Sequence, residues 1–377
     1  MNEVVICAAA AVTALGDTLE ASWQGLLAGQ SGIAEIRRFD ASAYTSRVAA
    51  CVPDLAPAAN GSRLPVLLDR VLAGFGPVPS DARLLLATTK GAIDLLERQH
   101  RGEDIPLRGI LAETVLGELA RRLGVSGPAC NVNAACASST IAVARGAAAI
   151  AHGRAEAAVV VCCDLVSEFV FSGFSALRAL DARPSRPFDR DRTGLTLGEG
   201  AAALLLMSRR RAARERRPVL ARVLGWGTAG DAHHITAPAR DGCGLVLAVR
   251  QALATAGVPA DAVDGISAHG TGTIYNDAME LTAFRTLFGE RHPPLHSVKG
   301  ALGHTLGAAG GIEVALGIRS LATGLLPPTT GLHTAEPAAE DRVSAEVQPF
   351  AGDVLLSTNS GFGGINCALL LGREATP

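Results

Sequence analysis

Short apolar runs recur along the chain, each closed by glycine or a polar loop. They are Arg83–Ala87 (RLLLA), Ala157–Cys163 (AAVVVCC), Ala201–Met207 (AAALLLM), Gly265–Ala268 (GISA), Val354–Ser357 (VLLS) and Cys367–Leu371 (CALLL). Apolar runs without polar alternation predict strands buried on both faces, as in a parallel sheet covered by helices. Alanine-rich helical stretches lie between them, as at Ser139–His152 and Gly244–Ala256. This alternation predicts an α/β fold with a doubly covered sheet. The opening segment Val4–Leu15 reads as another buried strand, running into a turn at Gly16-Asp17. Glu3 stands where a secretory leader would carry positive charge. The arginine-dense stretch Arg209–Arg217, then Pro218, separates two βα-rich halves, 1–217 and 218–377.

Composition narrows the classes. Apolar residues make up 48% but aromatic ones only 4%, so Ala, Val, Leu and Ile must build the core. Forty-two glycines suit tight strand-to-helix turns. A net charge of −2 offers no positive field to gather phosphates, which argues against a nucleic-acid binder. No apolar run reaches the roughly 20 residues of a membrane span. Of 34 basic residues only Lys90 and Lys299 are lysines, so each is a candidate for a place where a planar guanidinium cannot substitute. Eight cysteines without a CxxC pair predict reduced thiols in a cytoplasmic protein, not a zinc site or disulfide framework. The vicinal pair Cys162-Cys163, inside an apolar run, reads as packing.

Four segments carry candidate chemistry. In NVNAACASST (Asn131–Thr140), Cys136 sits where an extended segment enters a helix, between the small residues Ala135 and Ala137. Exposed N–H groups and the positive end of the helix dipole there lower a thiol pKa and favour a nucleophilic thiolate. Taken alone, a cysteine at such a place is more often buried and inert. In ISAHGTGTIYND (Ile266–Asp277) a strand delivers His269 into a Gly/Thr-rich loop, at the strand end where α/β folds place ligands. LHSVKGALGHTLGAAGG (Leu295–Gly311) carries Lys299 and His304, with Glu313 in the following helix; LSTNSGFGGIN (Leu356–Asn366) is a glycine-rich turn between two terminal strands.

These segments, with PFDRDRTGLTLGEGA (Pro187–Ala201) and LLAGQSGI (Leu26–Ile33), stand in an order that resembles the elongating β-ketoacyl synthases of the thiolase superfamily over nearly the whole chain. The resemblance implies duplicated βαβαβαββ halves in a five-layered αβαβα sandwich, usually dimeric. It implies Cys136 as acyl-accepting nucleophile, His269 and His304 as the active-site histidines, and Lys299 and Glu313 as their supporting pair. Phe362, between Gly361 and Gly363, matches the gating loop whose N–H completes an oxyanion hole with that of Cys136. Thr271, Thr273, Ser360 and His234 match substrate-side positions. The implied reaction is decarboxylative condensation of an acyl thioester with malonyl-acyl carrier protein, without cofactor or metal. The adjacent histidines of Asp231-Ala232-His233-His234 have poor chelating spacing.

A thiolase would place a second cysteine at the C-terminal turn, and a chain-initiating synthase would carry Asn in place of His304. A chain-length factor, the non-catalytic binding partner in some ketosynthase heterodimers, would lack Cys136. Two features depart from the elongating fatty-acid pattern. Ser360 stands where a phenylalanine usually precedes Gly361, as in polyketide and aryl polyene ketosynthases, and Leu55–Pro128 is short. The expected partners are an acyl carrier protein and a second subunit, in a homodimer or a ketosynthase/chain-length-factor heterodimer. Arg63 and Arg70, on an expected surface helix near the pocket mouth, and the Arg209–Arg217 cluster are candidate docking cations for the acidic carrier.

Overall fold

The computed structural model describes residues 1–57, 61–105 and 107–374. The first half begins with β1 (Val4–Val12) and α1 (Leu19–Leu27), then a small hairpin of β2 (Ile33–Glu35) and β3 (Val48–Ala50). It continues through α2 (Arg63–Leu72), β4 (Arg83–Ala87), α3 (Asp94–His100), α4 (Ala112–Leu123), β5 (Ala129–Asn131), α5 (Ser138–Ala151), β6 (Ala157–Asp164), α6 (Glu168–Ala176) and β7 (Gly200–Ser208). After α7 (Arg209–Arg214) come β8 (Ala221–Gly230), α8 (Cys243–Ala256), β9 (Gly265–Ser267), α9 (Ile274–Phe288), β10 (Leu295–His296), α10 (Lys299–Leu302) and α11 (Ala309–Thr323). A short pair, β11 (Leu325–Leu326) and β12 (Gln348–Pro349), precedes the final hairpin β13 (Val354–Gly361) and β14 (Ile365–Gly372).

The strand order β10-β9-β13-β14-β8-β1-β7-β6-β4-β5 is two five-stranded sets joined where β1 meets β8, antiparallel, through Val4–Ile6. Each set has the same internal order, and in each the last strand in sequence opposes its neighbours. One core cluster lies between the sets, where α5 and α11 touch strands of both. A second packs α2 and α4 on the outer face of the first set, and a third packs α8 and α9 on the outer face of the second. These are the five layers that the sequence resemblance implied.

Two expected parallel strands are antiparallel: β7 runs against β1 and β6, and β14 against β13 and β8. Helices cover both faces of β7 and β14, which are buried almost throughout, so each reads as continuously apolar whatever its direction. The β13–β14 connection is short enough that only reversal is possible. Strands β4, β5 and β6, and β9, β10 and β13, are parallel.

Glycines of α11 bring it close to β6 and to α5. A Cβ on Gly311 would lie 2.3 Å from Cys162 Sγ, and one on Gly310 would lie 1.9 Å from Thr140 Oγ1. Overpacking of this kind costs about 1–3 kcal/mol. Gly311→Ala is therefore expected to lower the thermal midpoint, and Cys162→Ala in the same chain to recover most of the loss. Equal losses with and without the sulfur would contradict this packing.

Candidate functional site

The β5–α5 junction raises Cys136 on a left-handed backbone step at Ala135 (φ 49°). Ser138 clamps the turn: its hydroxyl accepts from Ala134 N at 2.9 Å and donates to Ala135 O at 2.5 Å. The β13–β14 turn lies against it, with Gly361 so close that a Cβ would stand 3.1 Å from Ala134 O and Cys136 N. Beyond it, Phe362 stacks on Phe174 of α6 at 5.6 Å between ring centres. The N–H groups of Cys136 and Phe362 both act on the Cys136 sulfur, and each favours its thiolate.

His269 leaves the carboxyl end of β9 in a loop bound by two carboxylates of α9. Glu280 accepts from His269 N at 2.8 Å and Gly270 N at 2.7 Å. Asp277 accepts from Thr271 N, Gly272 N and Phe188 N. Burial raises both carboxyls, Glu280 to about 7, against the opposing backbone hydrogen bonds. His304 is fixed through its backbone, with its N–H donating to Thr196 O at 2.7 Å and its carbonyl accepting from Gly198 N at 2.9 Å. The His269 and His304 rings meet edge to face, 5.1 Å apart at an interplanar angle of 87°.

Lys299 lies beneath them with its ammonium on Glu313, both side chains 2% exposed. Glu313 also accepts from Asn359 Nδ2 at 2.5 Å. Ser297 ties the two histidine-bearing segments together: its hydroxyl donates to Gly270 O at 2.6 Å and accepts from Lys299 N at 3.2 Å. Burial lowers the pKa of both imidazoles well below the ordinary histidine value; the Lys299 charge lowers both further, and His304 adds to the effect on His269. Both rings are thus neutral near pH 7, and each can present an N–H without carrying charge.

One cavity of about 380 Å³ brings together Cys136, His269, His304, Thr271, Thr273 and the Ser360–Phe362 turn. Lys299 and Glu313 stand behind it, and Gly363 (φ 89°) serves the turn without lining it. Ser360 donates its hydroxyl to Asn366 Oδ1 at 2.7 Å.

Three expectations need correction. His234 is exposed and outside the cavity wall; its Nδ1 accepts from Thr236 N and Ala237 N, and these followers line the cavity instead. Arg63 is buried, not a surface cation: it donates to Val166 O and pairs with Asp94 and Glu199, partners too distant in sequence to foresee. Arg70 is half-buried on α2 and donates to the exposed Asp17, to Pro53 O and to Asp54 O. The Cys136 thiol is not lowered: burial pushes it up to about 12, outweighing Lys299 and the two N–H groups. The Arg209–Arg217 cluster is largely answered within the chain, Arg209 by Glu3 and Glu374, Arg210 by Glu156, and Arg211 by Asp81 and Glu215. Cys162 and Cys163 are buried in β6, as expected. No group of potential metal ligands occurs among the described residues, and no helix there is long and apolar enough to cross a membrane.

Sequence reasoning gave no role to Asp277, Glu280, Ser138, Phe174 or Asn359. Acidic residues early in a helix after a Gly-rich loop were the available signal for the first two.

The sequence matches the family described as Beta-ketoacyl synthase, N-terminal domain, over residues 1–59 and 80–212, and its C-terminal domain over 220–333. It is 31% identical to 3-oxoacyl-[acyl-carrier-protein] synthase 2 of Synechocystis sp. over 404 residues, 98% of this chain and 97% of that one. It is 29% identical to the protein of the same name from Coxiella burnetii over 408 residues, 99% of each. Among solved structures, the ishigamide ketosynthase/chain length factor superposes with a TM-score of 0.91 at 30% identity, covering 99% of this chain and 100% of that one. A ketosynthase solved in complex with its chain length factor from Xenorhabdus doucetiae gives 0.88 at 29%, covering 99% and 98%.

A thiol held at about 12 should be alkylated by iodoacetamide at a rate rising about tenfold per pH unit from pH 7 to 10. Mass spectrometry of the Cys136 peptide follows this, and a plateau near neutrality would contradict it. Family matches across both halves and full-length likeness to the synthases place this chain in the β-ketoacyl synthase family, enzymes that condense acyl units with malonyl-acyl carrier protein in fatty acid and polyketide synthesis.

Proposed function

We propose that Cys136 receives the acyl group from a carrier thioester, and that His269 and His304 stabilise the enolate formed when malonyl thioester decarboxylates. The observation that carries this reading is the convergence of one thiol and two neutral imidazoles on a single cavity. The thiol proton leaves as sulfur attacks the acyl carbonyl, and the carrier thiol departs protonated. Because the resting thiol is protonated, a neighbouring imidazole accepts that proton only as the carbon–sulfur bond forms. The backbone N–H groups of Cys136 and Phe362, which both act on that sulfur, donate to the oxyanion in this reading. Malonyl thioester then loses carbon dioxide, and the electron pair of the broken bond moves onto the thioester as an enolate. Two N–H donors from neutral rings match that charge. The enolate carbon attacks acyl-Cys136, sulfur leaves, and the elongated β-ketoacyl thioester remains on the carrier. Two half-reactions at one thiol give ping-pong kinetics.

An acyl carrier protein delivers both thioesters. The active unit is a homodimer or a heterodimer of the kind named for the Xenorhabdus doucetiae complex. Eight free cysteines suit a cytoplasmic setting. Ser360 in the cavity wall, beside the stacked Phe174 and Phe362, favours rigid unsaturated chains of polyketide or aryl polyene type.

Intact-mass analysis tests the roles. Cys136→Ala should take up no acyl group. His304→Ala should still load acyl groups but release carbon dioxide about 10²–10³-fold more slowly, the usual loss for one oxyanion donor. Acyl loading on Cys136→Ala, or unchanged decarboxylation in His304→Ala, would contradict the assignment. Faster condensation on saturated than on polyunsaturated acyl carriers would defeat the chain-type reading alone.

A further inference from the structure

Left-handed backbone steps at non-glycine residues flank two of the reacting groups. Ala135 (φ 49°) stands just before Cys136, and Leu306 (φ 54°) stands two residues after His304. A side chain makes such a step unfavourable, so it persists only where neighbouring groups hold it. One chain of hydrogen bonds ties the two steps together. Ala135 N donates to Asn133 Oδ1 at 3.4 Å, and Asn133 Nδ2 donates to Thr89 O, in the loop after β4, at 3.2 Å. Thr89 in turn donates to Asp164 at the end of β6, its N–H to Oδ1 at 3.0 Å and its hydroxyl to Oδ2 at 2.8 Å. Asp164 Oδ2 also accepts from Gly307 N, next to Leu306, at 2.7 Å.

Asp164 is 1% exposed, and Asp164, Thr89 and Asn133 all stand outside the cavity wall. Thr88 adds a hydroxyl bond to Oδ1 at 2.9 Å, so the two oxygens meet four donors, and each oxygen faces a backbone N–H. Burial raises this carboxyl, and the bonds from Thr89, Thr88 and Gly307 work against that rise. An ionised carboxylate only accepts and suits every one of these donors, whereas an amide would turn an N–H toward one of them. The contact is close as well as polar. A Cβ on Gly307 would lie 2.8 Å from Asp164 Oδ2 and 2.9 Å from Thr89 Cγ2. Thr196 and Gly198 hold His304 from its other side.

We propose that Asp164 is a positioning residue that locks the His304 loop to the nucleophile loop, fixing the span between the Cys136 sulfur and the His304 ring. This rests on Cys136 as nucleophile and His304 as enolate donor. Intact mass counts the Cys136 thiols that take up acyl groups, and condensation with malonyl carrier is then expressed per loaded site. Asp164→Asn, nearly the same shape, should lower that turnover about 10–10²-fold, the loss expected of a slight misplacement, with the KM for malonyl carrier little changed. A merely structural role would lower the melting temperature and the loaded fraction, and leave turnover per loaded site unmoved. Because Asp164 acts through His304, Asp164→Asn should slow the His304→Ala enzyme much less than the parent. If Asp164→Asn does not fold, Thr89→Val, which removes one donor to the carboxylate, should slow the same step by a smaller factor. Parent-like turnover per loaded site in the folded variant, or the same loss with and without the imidazole, would overturn the proposal. Unchanged decarboxylation in His304→Ala would instead defeat the underlying reading of His304.

Discussion

One buried cation governs this site. Lys299 and Glu313 sit in the central helical layer with almost no access to water. Removing one partner of such a pair leaves an uncompensated buried charge, so the surrounding polar groups are built around keeping both. The charge lies close enough to His269 and His304 to reinforce burial in denying them a proton. It also favours the Cys136 thiolate, though too weakly to overcome burial. The resting state is therefore a thiol and two neutral rings. In the proposed mechanism charge enters the cavity only during the reaction, and the N–H groups of Cys136 and Phe362 are fixed before it does.

The fold makes this arrangement by duplication. Each five-stranded set delivers loops from the carboxyl ends of its parallel strands to the shared central layer. The first set contributes the thiol through the β5–α5 turn, and the second contributes both imidazoles. Precision comes from backbone anchoring: carboxylates of α9 hold the His269 loop, and the 196–198 segment holds His304. Side chains that line the cavity are thus positioned by groups outside its wall.

Much of this was legible in the chain, for local reasons. Several strand cores, the helix after Cys136 and α8 followed from unbroken apolar runs and alanine-rich stretches, and Cys136, His269 and His304 each stand at a strand-to-loop or loop-to-helix junction. Strand direction was not legible, since β7 and β14 are as fully covered as their parallel neighbours. Arg63 was misread because Asp94 and Glu199 lie far from it in sequence, and His234 because its exposure depends on how its own loop folds back. The rise in the Cys136 thiol was hidden for a related reason: a helix terminus is visible in sequence, whereas the depth of burial that outweighs it belongs to the assembled fold.

The central claim is that both imidazoles stay neutral under working conditions. Ring-¹⁵N spectra of His269 and His304, assigned by single substitution and followed from pH 6.5 to 8, measure this directly. The account predicts neutral rings throughout that range, each with one protonated and one bare nitrogen. An imidazolium at either position near pH 7 would contradict it.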